Sequence, residues 1–271
     1  MEEWRLIIDP PCGGAENMAV DEALLRSASI DKAFSPVLRL YGWSEPTISL
    51  GYLQKAASFA GMGLPLVRRI TGGRALLHEI EFTYAVIAGA RSPLHSMGIA
   101  GCYAALSRAI VLTLREFGLE ADFSRPMSSR AYKKSAACFA SSARYEVLVG
   151  GRKIAGSAQR RVKGALLQHG SIIFGLNRAL WKDIFGDDIL LKTAAVLEFC
   201  SVEREAFQKV FVQKVSESLR ASFTGAVLTE PELEMKKGLM EQRYLRKEWN
   251  EDAALPGAPG RDGVFMAMGG L

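Results

Sequence analysis

Residues 145–174 contain three strand-forming runs in immediate succession, with no room for a helix between any two of them. The runs 145–149 and 152–159 flank Gly150-Gly151, and 164–174 (GALLQHGSIIF) supplies the third. Two adjacent glycines suit a two-residue hairpin turn, because both central positions then tolerate positive φ. Neighbouring parallel strands need a crossover of a dozen or more residues, so this stretch predicts an antiparallel meander. Such a meander argues against the regular strand–helix alternation of a dinucleotide-binding fold.

The flanking segments fit the same class. Residues 15–29 read as a helix, and 37–52 hold two short β-prone runs broken by a Gly-Trp-Ser-Glu-Pro turn. Residues 65–70 and 81–89 read as strands on either side of a Gly-Gly loop. In 101–117, Leu106, Ile110, Leu114 and Phe117 recur at helical spacing, and Gly118 sits where a helix-ending glycine belongs. Further on, Phe207, Phe211, Val215 and Leu219 form an i, i+4 stripe, and Thr229 with Glu232 makes a capping box opening a helix to about residue 249. Residues 251–271 hold five glycines and two prolines and read as a loose tail. The order predicts an α+β fold, a mixed, largely antiparallel sheet flanked by helices. One catalytic domain is expected over 1–250, with its core in 3–176 and a helical part in 177–250.

Hydrophobic residues make up 49% and charged residues 23% of the 271, which excludes a disordered or fibrous chain. No apolar run approaches the roughly 18 residues of a membrane span, and the start lacks a basic-then-apolar leader, so no membrane association and a cytoplasmic location are expected. The net charge of +5 suggests acidic partners. Lys and Arg occur as short pairs such as Arg68-Arg69, Lys133-Lys134 and Arg160-Arg161, without a basic run interleaved with aromatics, and no nucleic-acid partner is expected.

Three constellations bear on chemistry. Arg68-Arg69-Ile70-Thr71-Gly72-Gly73-Arg74 leads to His78. The glycine pair allows close backbone approach to a ligand, and the arginines suit an anionic or carbonyl-bearing group. Gly72-Gly73 equally suits a plain turn, and His78 either an acid/base group or a structural histidine. Gly151-Arg152-Lys153-Ile154-Ala155-Gly156-Ser157-Ala158-Gln159 places Lys153 near the start of a strand, facing away from Ile154. The small residues Gly156, Ser157 and Ala158 leave room for a slender ligand, while Lys153 by itself suits a solvated strand position. Cys138 stands among small residues in a Ser-rich loop before the meander. If Lys153 approached it, the ammonium would lower the thiol's pKa and provide the thiolate that thioester exchange requires. Cys12, Cys102 and Cys200 read as small buried hydrophobes, and His78, His95 and His169 show no metal-ligand spacing, so no metal is expected.

In this order the segments resemble the lipoate-protein ligase A and octanoyltransferase family, which includes the biotin ligases at greater distance. The matching stretches are WRLIIDPPCGGAENMAVDEALL (4–25), LRLYGWSEPTISLGYLQ (38–54), VRRITGGRALLHEIEFTYAV (67–86) and 138–174. The resemblance implies the catalytic-domain fold of the biotin/lipoate ligases, with an acyl group held in a tunnel. Catalytic residues would be Cys138 and Lys153, and Arg69, Thr71, Gly72, Gly73, His78, Gly156, Ser157 and Ala158 would bind substrate. A cysteine in the loop before the Gly-Arg-Lys strand resembles the LipM-type octanoyltransferases, which implies transfer from octanoyl-acyl carrier protein through a cysteine thioester to a lysine of a lipoyl domain. That domain would belong to the glycine-cleavage H protein or a dehydrogenase E2 subunit, and no cofactor is expected. The alternatives are an ATP-dependent lipoate ligase and a non-catalytic binding module for carrier protein or nucleic acid.

Overall fold

The computed structural model describes residues 1–59, 61–123 and 145–252, together with the backbone of 265–268. The meander forms as expected. Strands β8 (Val147–Val149), β9 (Arg152–Val162) and β10 (Ala165–Ile173) pair antiparallel in sequence, with Gly150 and Gly151 at φ 56° and 76° in the first turn.

They belong to a large mixed sheet with β1 (Glu2–Ile8), β2 (Val37–Tyr41), β6 (Glu81–Gly89), β7 (Ala121–Phe123) and β11 (Ala221–Gly225). The spatial order is β11-β1-β2-β6-β10-β9-β8-β7, and β12 (Phe265–Met268) pairs with β9. Within this sheet, among the described residues, only β1 pairs in parallel, with β2 and β11. A small second sheet, ordered β4-β3-β5, holds β3 (Thr47–Leu50), β4 (Leu66–Arg68) and β5 (Leu76–His78).

Helices cover both faces of the large sheet. On one lies α1 (Gly14–Ile30), whose Met18, Leu24 and Leu25 pack with Ile7, Val37, Ile87 and Leu167. Short α2 (Pro93–Ser96) precedes α3 (Gly98–Glu116) on the other face, where Leu106, Ile110 and Leu114 meet Leu40, Val86 and Leu166. By length and composition α3 could cross a membrane, but half of it is buried within the molecule, against the sheet and a later helix. Gly118, with φ 79°, follows its last turn.

After β10 come α4 (Arg178–Phe185), α5 (Asp188–Lys192), α6 (Arg204–Leu219), α7 (Glu230–Leu239) and α8 (Lys247–Asp252). Phe207, Phe211 and Val215 of α6 are fully buried and complete the core on α3. The Thr229–Glu232 capping box is present, but the helix it opens is interrupted by a π-helical turn at Met240–Tyr244. The expectation of a helical 177–250 misses β11, whose Ala-Ser-Phe-Thr alternates apolar and polar residues over too short a stretch to stand out. It becomes a strand because β1 offers it a free edge.

Candidate functional site

A cavity enclosing about 460 Å³, part of it open to solvent, lies between the large sheet, the small sheet and α1. Its floor is a row of side chains on one face of the large sheet. Register pairs Tyr41 with Thr83, Thr83 with Ser171, Ser171 with Gly156, and His169 with Ala158. Met18 of α1 and Trp43 close one side, and Ser49, Leu76 and His78 of the small sheet close another. The lining is largely apolar, with a few convergent polar groups, as ligand cavities commonly are.

The loop between β4 and β5 forms the remaining wall. It packs backbone on backbone, because a Cβ on Gly51 would lie 2.0 Å from the Gly73 carbonyl oxygen. Gly73 itself has φ 99°. Glycine is required at both positions, one for close approach and one for the left-handed conformation. The two arginines of the motif point in different directions. Arg68 is caged by the carbonyls of Gly51, Tyr52, Gln54, Trp249, Asn250 and Glu251, which ties α8 to the loop. Arg69 lines the cavity and donates to the carbonyls of Ser49, Gly72 and Arg74 and to Ser49 Oγ, the last at 2.6 Å. Burial lowers the Arg69 pKa to about 10.

Two carboxylate–imidazole pairs flank this wall. Glu81 Oε1 lies 3.1 Å from His78 Nδ1, and His78 Nε2 lies 2.6 Å from Ser49 Oγ. The His78 ring also stacks on Trp43, with centroids 3.7 Å apart. Burial pushes the His78 pKa below its ordinary value, against the opposing pull of Glu81. Asp21 Oδ2 lies 2.8 Å from His169 Nδ1, and His169 Nε2 lies 2.7 Å from Thr71 Oγ1. Burial alone would raise the Asp21 pKa, but the bonds and charges of His169 and Arg39 outweigh it and the net shift is downward.

Lys153 reaches the same face of the sheet through an irregularity. Val147 pairs with Ala155 while Leu148 pairs with Lys153, so β9 carries one extra residue, Ile154. Ile154 and Ala155 both enter the core beneath α3, and the alternation then resumes with Gly156 and Ala158 toward the cavity. Lys153 is only 9% exposed, a correction to the solvated position its residue type suggests. Its Nζ donates to Glu146 Oε1 at 2.8 Å. Burial lowers its pKa, the Glu146 charge and hydrogen bond oppose that shift, and Arg74 adds to it. Arg74 in turn lines the cavity, whereas Lys153 and Glu146 are not among its lining residues and share only the sheet face that carries Gly156 and Ala158.

Of the expected substrate-binding residues, Arg69, Gly73, His78, Gly156, Ser157 and Ala158 line the cavity. Thr71 and Gly72 support the wall through the contacts given above. Cys138 lies outside the described residues. Cys102 is fully buried as expected, whereas Cys12 and Cys200 are half-buried. Among the described residues no group of three or more His, Cys, Asp and Glu side chains could hold a metal ion. Sequence reasoning missed Asp21, Ser49, Glu81, Glu146 and His169. The i, i+3 spacing of His78 and Glu81 was a usable signal; the other partners lie at least seven positions apart.

The family model for the lipoyl protein ligase A/B catalytic domain matches residues 14–224. The chain is 36% identical to an octanoyltransferase LipM of Carboxydothermus hydrogenoformans, covering 92% of this chain and 98% of that protein. It is 35% identical to the octanoyltransferase LipM of Bacillus subtilis, with coverage of 92% and 98%. Among solved structures, a lipoate protein ligase from T. acidophilum with bound lipoic acid superimposes with a TM-score of 0.77 at 25% identity, over 92% of this chain and 99% of that one. A lipoate-protein ligase A bound with ATP gives a TM-score of 0.78 at 24% identity, covering 93% and 100%.

Proposed function

Because the chain belongs to the lipoyl protein ligase A/B catalytic-domain family, we propose that it is an octanoyltransferase, moving an octanoyl group from an acyl carrier protein to a lysine of a lipoyl domain through a thioester on Cys138. The observation that carries this reading is Lys153, a buried lysine of depressed pKa paired with Glu146 on the sheet face that carries Gly156 and Ala158 into a largely apolar cavity. It stands in a chain that is 35–38% identical to octanoyltransferases over 92% of its length.

The chemistry is thioester exchange followed by aminolysis. The Cys138 thiol passes its proton to Lys153, the thiolate attacks the donor carbonyl, a new C–S bond forms, and the donor's C–S bond breaks, its sulfur taking up that proton to leave as the thiol. The acceptor lysine then attacks the acyl-enzyme as a free amine, an amide forms, and the proton it sheds returns to the departing cysteine sulfur. Lys153 suits two tasks in this scheme, holding Cys138 as thiolate and passing the amine's proton, because burial has already weakened its grip on its own proton. Gly156 and Ala158 border the acyl chain, and the Gly72–Gly73 loop covers it. Neither step consumes a nucleotide.

Intact-protein mass measurement after mixing with octanoyl-acyl carrier protein, without ATP, tests the scheme. An octanoyl adduct on the wild type, lost in Cys138→Ala and transferred to a lipoyl domain, is the expected result. Lipoyl-domain modification that requires ATP and persists in Cys138→Ala would make the chain a ligase instead.

A further inference from the structure

His78 and His169 have both ring nitrogens engaged. The Glu81 carboxylate can only accept, so His78 Nδ1–H donates to it, and Nε2 of the neutral ring then accepts from the Ser49 hydroxyl, whose oxygen accepts from Arg69. His169 Nδ1 faces Asp21 and its Nε2 faces the Thr71 hydroxyl. Neither imidazole therefore has a nitrogen to offer a substrate proton without breaking a buried hydrogen bond. Both chains end on the same loop. One runs Glu81–His78–Ser49–Arg69 and reaches the carbonyls of Gly72 and Arg74, and the other runs Asp21–His169–Thr71. Asp21 is anchored further by Arg39 at 2.8 Å and by the Tyr41 hydroxyl at 3.0 Å.

We infer that His78 and His169 are positioning residues: two carboxylate–imidazole–hydroxyl chains clamp the Arg69–Arg74 loop from both sides and hold it in the shape that covers the acyl chain. The inference rests on the cavity being the octanoyl site, and it replaces an acid/base role for His78 with a mechanical one. The loop needs such a clamp because its glycines supply no side chains to fix it, and Gly73 occupies a region open to few alternatives.

The test compares His78→Leu and His169→Leu with His78→Gln and His169→Gln. A glutamine amide oxygen can stand near Nε2 and accept the hydroxyl hydrogen; leucine cannot. Three quantities are read: amide hydrogen exchange across 70–75, affinity for the non-transferable amide analogue of octanoyl-pantetheine, and kcat and KM for octanoyl transfer. The leucine variants should exchange at 70–75 about tenfold faster, bind the analogue about tenfold more weakly and raise KM with kcat within about threefold, while the glutamine variants stay near wild type. Wild-type exchange in the leucine variants would overturn the clamp. A common fall in kcat in leucine and glutamine variants, with KM unchanged, would assign the histidines to proton transfer and overturn it too. If the wild type fails to bind the analogue while the leucine variants still speed exchange, the clamp stands and the acyl reading of the cavity falls.

Discussion

Lys153 and Gly156 share one face of β9 although they are three positions apart, because Ile154 is an extra residue in the ladder with β8. Were Ile154 an ordinary strand residue with no bulge, strict alternation would send Lys153 to the face opposite Gly156 and Ala158. Bulges commonly re-aim side chains beside active sites, and this one turns the lysine to the sheet face that carries Gly156 and Ala158. Deleting Ile154 should therefore leave Lys153 on the cavity face, two positions from Gly156 in a regular ladder, and octanoyl transfer should persist. A steady-state assay on the folded deletion variant checks it; a fall of at least about a hundredfold, the size of a lost acid/base group, would show that alternation alone does not set Lys153's position.

The Lys153–Glu146 pair is buried on both sides, at 10% and 8% side-chain exposure. Removing Lys153 costs the buried Glu146 carboxylate its hydrogen-bonded ion pair, a loss of about 3 kcal/mol. Lys153→Met alone should unfold earlier in urea than the double variant Lys153→Met, Glu146→Gln, although both should be inactive. Equal stability of the two would argue against electrostatic coupling.

Burial lowers the His78 pKa from its usual 6.5, and Arg69 and His169 reinforce the shift while Glu81 opposes it. The unfolded chain then takes up the proton first as the pH falls. The stability associated with neutral His78 is complete above 6.5 and declines from there down to the lowered folded value. Melting temperature should drop on acidification through this window, and His78→Gln should flatten that part of the profile. Asp21, with its pKa below 3.8, contributes a separate loss at lower pH. An unchanged profile in His78→Gln would remove His78 as the source.

Gly51→Ala would place a methyl group 2.0 Å from the Gly73 carbonyl oxygen, which is backbone and cannot swing aside. The strand and the loop must separate, at a cost of at least about 2 kcal/mol. Chemical denaturation should register that loss, and KM for the octanoyl donor should rise with it. A stable variant of normal KM would mean that the loop shifts freely.

Trp249 is fully buried on α8, and its Nε1 donates to the Arg68 carbonyl at 3.0 Å. Trp249→Ala should cost about 3–5 kcal/mol. Because the same helix cages Arg68, the variant should also weaken octanoyl binding beyond the loss of folded protein, measurable by titration well below its melting point. Octanoyl affinity unchanged in the folded variant would confine α8 to a purely structural role.

The local order of the chain is legible in its sequence alone. The Gly150-Gly151 hairpin, the α3 stripe ending at Gly118 and the Thr229–Glu232 capping box are set by residues within a few positions of each other, and each stands where its pattern places it. Both glycine-containing motifs also mark the walls of the cavity, because a slender ligand and close backbone approach demand small residues whatever the surroundings.

Tertiary structure decided the rest. Asp21 meets His169 across 148 positions, and Arg68 meets α8 across about 180. The face Lys153 occupies depends on a bulge whose register is fixed by the partner strand, and β11 is a strand only because β1 has an edge to pair. These outcomes arise where distant segments exclude water and leave a polar group one partner to find, a requirement that acts between elements and leaves no periodic trace along any one of them.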